Sequence, residues 1–131
     1  MKTVYIITYV MAAVFILGET LRRGLSYFSI NATTMIAATL CGLLLLAAAL
    51  VWRSGTAFAT TLMTAAWAYG TGGMFVPFAA HLEAWMRGET FRPDHPHEDL
   101  NSVILKGVIW AICLACFAVS LMHAKNSQKS A

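Results

Sequence analysis

The sequence predicts an all-α integral membrane protein, a four-transmembrane-helix antiparallel bundle with short loops. Three observations carry that expectation. Hydrophobic residues make up 59% of the 131, charged residues only 11%, and mean hydropathy is +0.67. A soluble domain carries about 25% charged residues, so this chain lacks the polar surface that water requires. Its apolar residues gather in four stretches, at 3–19, 33–52, 57–80 and 103–122, each close to the length of a bilayer-crossing helix. Four such spans consume about 80 residues and leave about 50 for connections, which excludes a soluble enzyme or a separate extramembrane domain.

The first stretch runs from Thr3 to Gly18 and closes at Glu19. A charged start and a short apolar core also suit a signal peptide. However, Glu19-Thr20-Leu21-Arg22-Arg23 lacks the small residues of a cleavage site, so an uncleaved span is expected. Gly24 to Asn31 then connects, with Tyr27 and Phe28 suited to the headgroup level. The second stretch, Thr33 to Trp52, carries no charge and ends at Arg53-Ser54-Gly55. The third begins near Ala57, and so short a turn predicts a helical hairpin. The polar segment 83–102 separates it from the fourth span, Val103 to Met122. Residues 1–131 thus read as one membrane domain.

Nine Lys and Arg stand against six acids, a formal charge of +3, with no block of like charge suited to nucleic acid. The expected partners are the lipid bilayer and either further copies of the chain, as a homo-oligomer, or a larger membrane complex. Four spans place Lys2, Arg53, Lys125 and Lys129 on one side with no acid. Arg22, Arg23, Arg87, Arg92 and Lys106 fall on the other, with all six acids. Lys and Arg alone nearly tie, so the positive-inside rule does not decide. The acid asymmetry favours cytoplasmic termini, and a compact chain with short loops takes a bacterial inner membrane as its default location.

Chemistry-bearing residues gather in three places. In the third span Ala59, Ala66, Gly70, Gly73 and Pro77 recur at helical spacing, a stripe that lets two backbones approach closely in lipid. From Gly70 to Pro77 three glycines and a proline weaken the helix. A break there, lined by Trp67 and Tyr69, would suit a substrate or ion pathway, because freed backbone groups need protein or a wet cavity. The plainer account is tight packing with a kink. Glu19, Arg22 and His81 meet the same membrane face and extend the candidate pathway, with Glu19 paired to Arg22 or Arg23. Their plainer account is boundary charge reaching water, as for Lys106, whose long side chain can snorkel.

The segment from Phe91 to Asp99 holds Asp94, His95 and His97. Two imidazoles two residues apart point the same way in an extended chain, and His81 offers a third nitrogen to a divalent metal such as zinc or copper. The alternative is a proline-stiffened loop whose acids favour the start of the next helix. No other cofactor is expected and no catalytic constellation is read. Finally, Cys113-Leu114-Ala115-Cys116 resembles the C-x-x-C of DsbB-like and vitamin K epoxide reductase-like four-helix families over those four residues. Those families add a second, exposed cysteine pair, whereas all three cysteines here lie inside apolar stretches, where they serve as small packing residues.

Three functions compete: an accessory or interaction subunit of a membrane complex, a homo-oligomeric transporter or channel for a small ion or solute, and a metal-handling protein. The first asks least of residues that have plain explanations, and it ranks first. The chain is expected to sediment with membranes and to dissolve only with detergent. Its recovery in the supernatant after ultracentrifugation without amphiphile would overturn the membrane reading.

Overall fold

The computed structural model describes residues 1–89 and 100–129. Helix makes up 91% of the structure, with no strand among the described residues. The helices are α1 (Lys2–Arg23), α2 (Tyr27–Ile30), α3 (Ala32–Trp52), α4 (Ala57–Arg87) and α5 (Leu100–Lys129). Three of them, α1, α3 and α5 over Leu100–Ser127, are long and apolar enough to cross a membrane. The longest, α4 with 31 residues, is not among these three, its composition being diluted by Gly, Thr, His and charged residues.

Local signals explain the helix ends. Asn31 caps α3 by accepting from the Thr34 amide at 3.1 Å, and Thr56 caps α4 by accepting from Ala59 at 3.2 Å. Each satisfies one of the amides that a helix start leaves without a partner. At the far end of α4, Gly88 takes the left-handed conformation (φ 66°, ψ 24°). Its amide donates to Trp85 at 3.2 Å and that of Glu89 to Ala84 at 3.0 Å, so the last carbonyls are used.

Two boundaries differ from the sequence expectation. The third apolar stretch was expected to end near Ala80, whereas α4 continues to Arg87. A Glu83–Arg87 ion pair at i,i+4 spacing on an exposed face accompanies the extra turns. Likewise α5 extends to Lys129, beyond Met122. The weak region Gly70 to Pro77 does not interrupt α4, which is helical throughout. Pro77 removes one amide donor without ending the helix.

The outer surface is unlike that of a water-soluble bundle, being rich in large apolar side chains as the core is. Only 28%, 33% and 22% of the most apolar windows of α1, α3 and α5 are buried. Leu21, Leu50, Phe58, Val76 and Leu121 face outward, while Thr8, His81, Lys106 and Ser120 are buried. Apolar surface on that scale matches hydrocarbon as the surrounding solvent. The core joins Met11, Ala12 and Phe15 of α1 to Cys41 and Leu45 of α3, with Met63 and Trp67 of α4 and Cys113 of α5. The closest backbone approach in it is at Gly42, where an added Cβ would lie 2.9 Å from the Ala12 carbonyl oxygen and 3.0 Å from the Ile16 nitrogen. Backbone cannot rotate aside as a side chain can, so α1 and α3 would have to separate.

Gly42→Ala is therefore expected to destabilise the fold by about 1–3 kcal/mol, the usual cost of overpacking. Gly72→Ala, where nothing lies within 4 Å of the added carbon, should leave stability unchanged or slightly raised. Thermal unfolding in detergent followed by helical circular dichroism compares the two.

Candidate functional site

At the centre of the bundle α1 and α4 are joined by a polar contact. Thr8 is fully buried, and its Oγ1 donates to the Val4 carbonyl at 2.7 Å. The same oxygen accepts from the Trp67 indole Nε1 at 3.2 Å, and Met63 Sδ lies 3.5 Å away. A β-hydroxyl can satisfy both a carbonyl of the preceding turn and an indole on another helix, which a methyl could not. Trp67 has 0% exposure and is the largest fully buried side chain, so it fills the space that an axial pathway would need. One turn on, an added Cβ at Gly70 would lie 3.4 Å from Cys41 Sγ and 3.6 Å from Cys113 Sγ, so this glycine serves packing among thiols.

The expected pathway residues therefore separate. Trp67 and Gly70 face the core, whereas Tyr69 and Gly73 face outward, with open space around Gly73. At about 100° per residue the four spread over roughly 160° of the helix circumference, and the core covers only the Trp67–Gly70 side of that arc.

The end of α1 carries the best-defined ion pair. Arg23 Nε lies 2.7 Å from Glu19 Oε2, and its guanidinium carbon sits 4.4 Å over the Tyr27 ring. Both contacts hold the cation where its side chain is only 7% exposed, as pairing and ring stacking together allow. Arg22, the other expected partner of Glu19, is exposed. His81 and Lys106, near the end of α4 and the start of α5, are both buried. Lys106 thus does not reach water as a snorkelling side chain would. Beside it Phe78 stacks on Trp110 at 5.5 Å, and an added Cβ at Gly107 would meet the Phe78 ring at 2.9 Å, which brings α4 and α5 together here.

Asp94, His95 and His97 lie outside the described residues, as do Glu98 and Asp99. Among the described residues no group of three or more His, Cys, Asp or Glu is placed to hold a metal ion. Cys41, Cys113 and Cys116 are free and buried.

The sequence reading overlooked an open cleft of about 260 Å³ where the end of α3, the start of α4 and the end of α5 meet. Trp52, Thr56, Thr60, His123 and Ser127 line it, with the His123 ring 5.6 Å from that of Trp52. His123 falls one residue past the last apolar position of the fourth stretch, so only the continuation of α5 brings it to the cleft. A His one turn before a Ser in a polar tail was the available signal. Comparisons with family models, with curated proteins and with solved structures find no match.

Thr8→Val should cost about 1–3 kcal/mol of stability by leaving the Trp67 N–H without its acceptor in the core. Thr8→Ser keeps the oxygen and should restore most of it. The midpoints of thermal unfolding in detergent for the two variants check this.

Proposed function

We propose that the chain is an accessory or interaction subunit of a membrane complex, with all four long helices crossing the bilayer as an antiparallel bundle. The observation that carries this reading is the outward face of α4. Thr61, Ala65, Ala68 and Gly72 are exposed at successive i+4, i+3 and i+4 steps, and an added Cβ at Gly72 or Gly73 meets nothing within 4 Å. Such a face lets a second backbone approach and gain dispersion contacts, the main source of helix association in lipid. The same helix is not among the three that are long and apolar enough to cross a membrane, so a protein neighbour suits its small-residue outer face.

Contacts that advance along α4 while receding along α5 support the antiparallel arrangement. Thr60 shares a cleft with His123, Gly70 approaches Cys113, and Phe78 meets Gly107. With four crossings both termini lie on the acid-free side, read as cytoplasmic, and a bacterial inner membrane remains the proposed location.

A second reading, a homo-oligomeric transporter or channel, draws on the burial of His81 and Lys106 in a chain of this hydropathy. Buried ionisable groups in membrane helices often mark ion routes. With Trp67 filling the middle of the bundle, the site would lie from the Gly70–Pro77 segment towards His81. Liposome flux abolished by His81→Ala, with the fold intact, would favour it. A metal-handling role rests on His95 and His97 together with Asp94, and metal content compared with a His95→Ala/His97→Ala variant decides it.

Ala68→Leu and Gly72→Leu fill the open face without touching the core. Each is expected to reduce co-purification of a partner chain in mild detergent by about tenfold or more, with the thermal midpoint unchanged. A wild-type chain that purifies alone as a monomer, or partner capture unaffected by both variants, would overturn the subunit reading.

A further inference from the structure

We propose that the cleft between Trp52, Thr60 and His123 binds the phosphate of an anionic phospholipid headgroup. This inference rests on the chain lying in a bilayer, and it does not depend on a partner protein.

In a bilayer crossed by α3 and α5, the cleft would lie at the headgroup level. Trp52 is the last residue of α3, and Thr56 and Ala57 are the cap and first residue of α4. One apolar helix, α3, therefore ends and α4 begins at the cleft mouth, where an indole ring favours the boundary between hydrocarbon and water. Its volume of about 260 Å³ accommodates a phosphodiester with its glycerol, given that a water takes about 30 Å³ in the liquid.

Its lining supplies hydrogen-bond donors and no carboxylate. Thr60 and Thr56 bring hydroxyls, Trp52 an indole, and His123 an imidazole tilted 55° to that indole. The first turn of α4 also opens onto the space, and its positive dipole end favours an anion. The absence of acid extends well beyond the lining. From Thr20 to Leu82 and from Leu100 to Ala131 the sequence contains no Asp or Glu, so neither α3, the first half of α4 nor α5 brings a carboxylate here. Arg53 follows Trp52 directly and Lys125 lies two residues beyond His123, both exposed. They add long-range attraction to an anionic leaflet, which acts on Lys and Arg near the surface within a Debye length. A zwitterionic headgroup carries the same phosphate with a compensating choline, and cations without a carboxylate among the described residues of this end disfavour that choline.

The test uses the full chain, reconstituted into nanodiscs of equal parts phosphatidylglycerol and phosphatidylcholine, with retained lipid read by native mass spectrometry on release. The expected result is preferential retention of phosphatidylglycerol. His123→Ala and Thr60→Val should each weaken it by about tenfold, the worth of one charge-assisted hydrogen bond. Arg22→Gln, at the opposite end, should leave retention unchanged. Thr60→Val replaces an exposed-edge hydroxyl by a methyl of the same shape, so it reads the cleft even if His123→Ala perturbs the end of α5. Added inorganic phosphate should not displace the lipid. Displacement by inorganic phosphate would assign the cleft to a soluble phosphate and overturn the lipid assignment. Equal retention of both lipids, or no change in both cleft variants, would also overturn it. Because the readout is lipid on the isolated chain, a failure here is distinct from a failure to capture a protein partner.

Discussion

The structure depends on one constraint: in hydrocarbon no solvent satisfies a backbone amide or carbonyl, so the chain must do so within itself. Helix is the local answer, and it covers 91% of the structure. The constraint also explains why α4 stays helical through three glycines and a proline that would weaken a helix in water. There, unravelled turns would find water as a partner. In hydrocarbon they would find no partner, so a bilayer-crossing α4 would keep its helix despite its low intrinsic propensity there.

Once the backbone is satisfied, side chains sort by what they can offer another helix. Between apolar helices in lipid there is little hydrophobic driving force, so closeness of approach and polar contacts decide association. The α1–α3 contact at Gly42 and the α4–α5 contact at Gly107 use closeness, each holding a neighbour within about 3 Å of a missing Cβ. The α1–α4 contact uses polarity, through Thr8 and the Trp67 indole. Small residues at Gly72 and Gly73 use neither within the chain, and on that asymmetry the proposed partner-facing role of α4 stands.

The two ends of the molecule differ in electrostatics as well as in packing. The end of α1 holds a carboxylate–guanidinium pair against an aromatic ring, and buried His81 and Lys106 flank the start of α5. The end formed by Trp52, Thr56 and His123 has hydroxyls and imidazole with cations nearby and no acid among the described residues. A bilayer with anionic lipid on one face would see these ends as different surfaces.

Helical class and three of the four expected spans were legible from composition and from the spacing of charges, because a bilayer selects on length and hydropathy, properties of a linear segment. Residues 33–52 illustrate this, matching α3 almost to the residue. The Glu19 pairing was legible too, since i,i+4 geometry is local to a helix, although the choice of Arg23 over Arg22 follows from Tyr27 offering its ring. What the linear pattern left open was direction. Gly70 and Gly73 are equivalent as letters, yet one faces two thiols and the other open space. Lys106 reads as a boundary cation but is buried. His123 reads as a tail residue but closes a cleft with Trp52, 71 positions earlier. Those outcomes belong to tertiary structure, because which face of a helix is inside is set by the shapes of its neighbours, and no residue's own chemistry contains them.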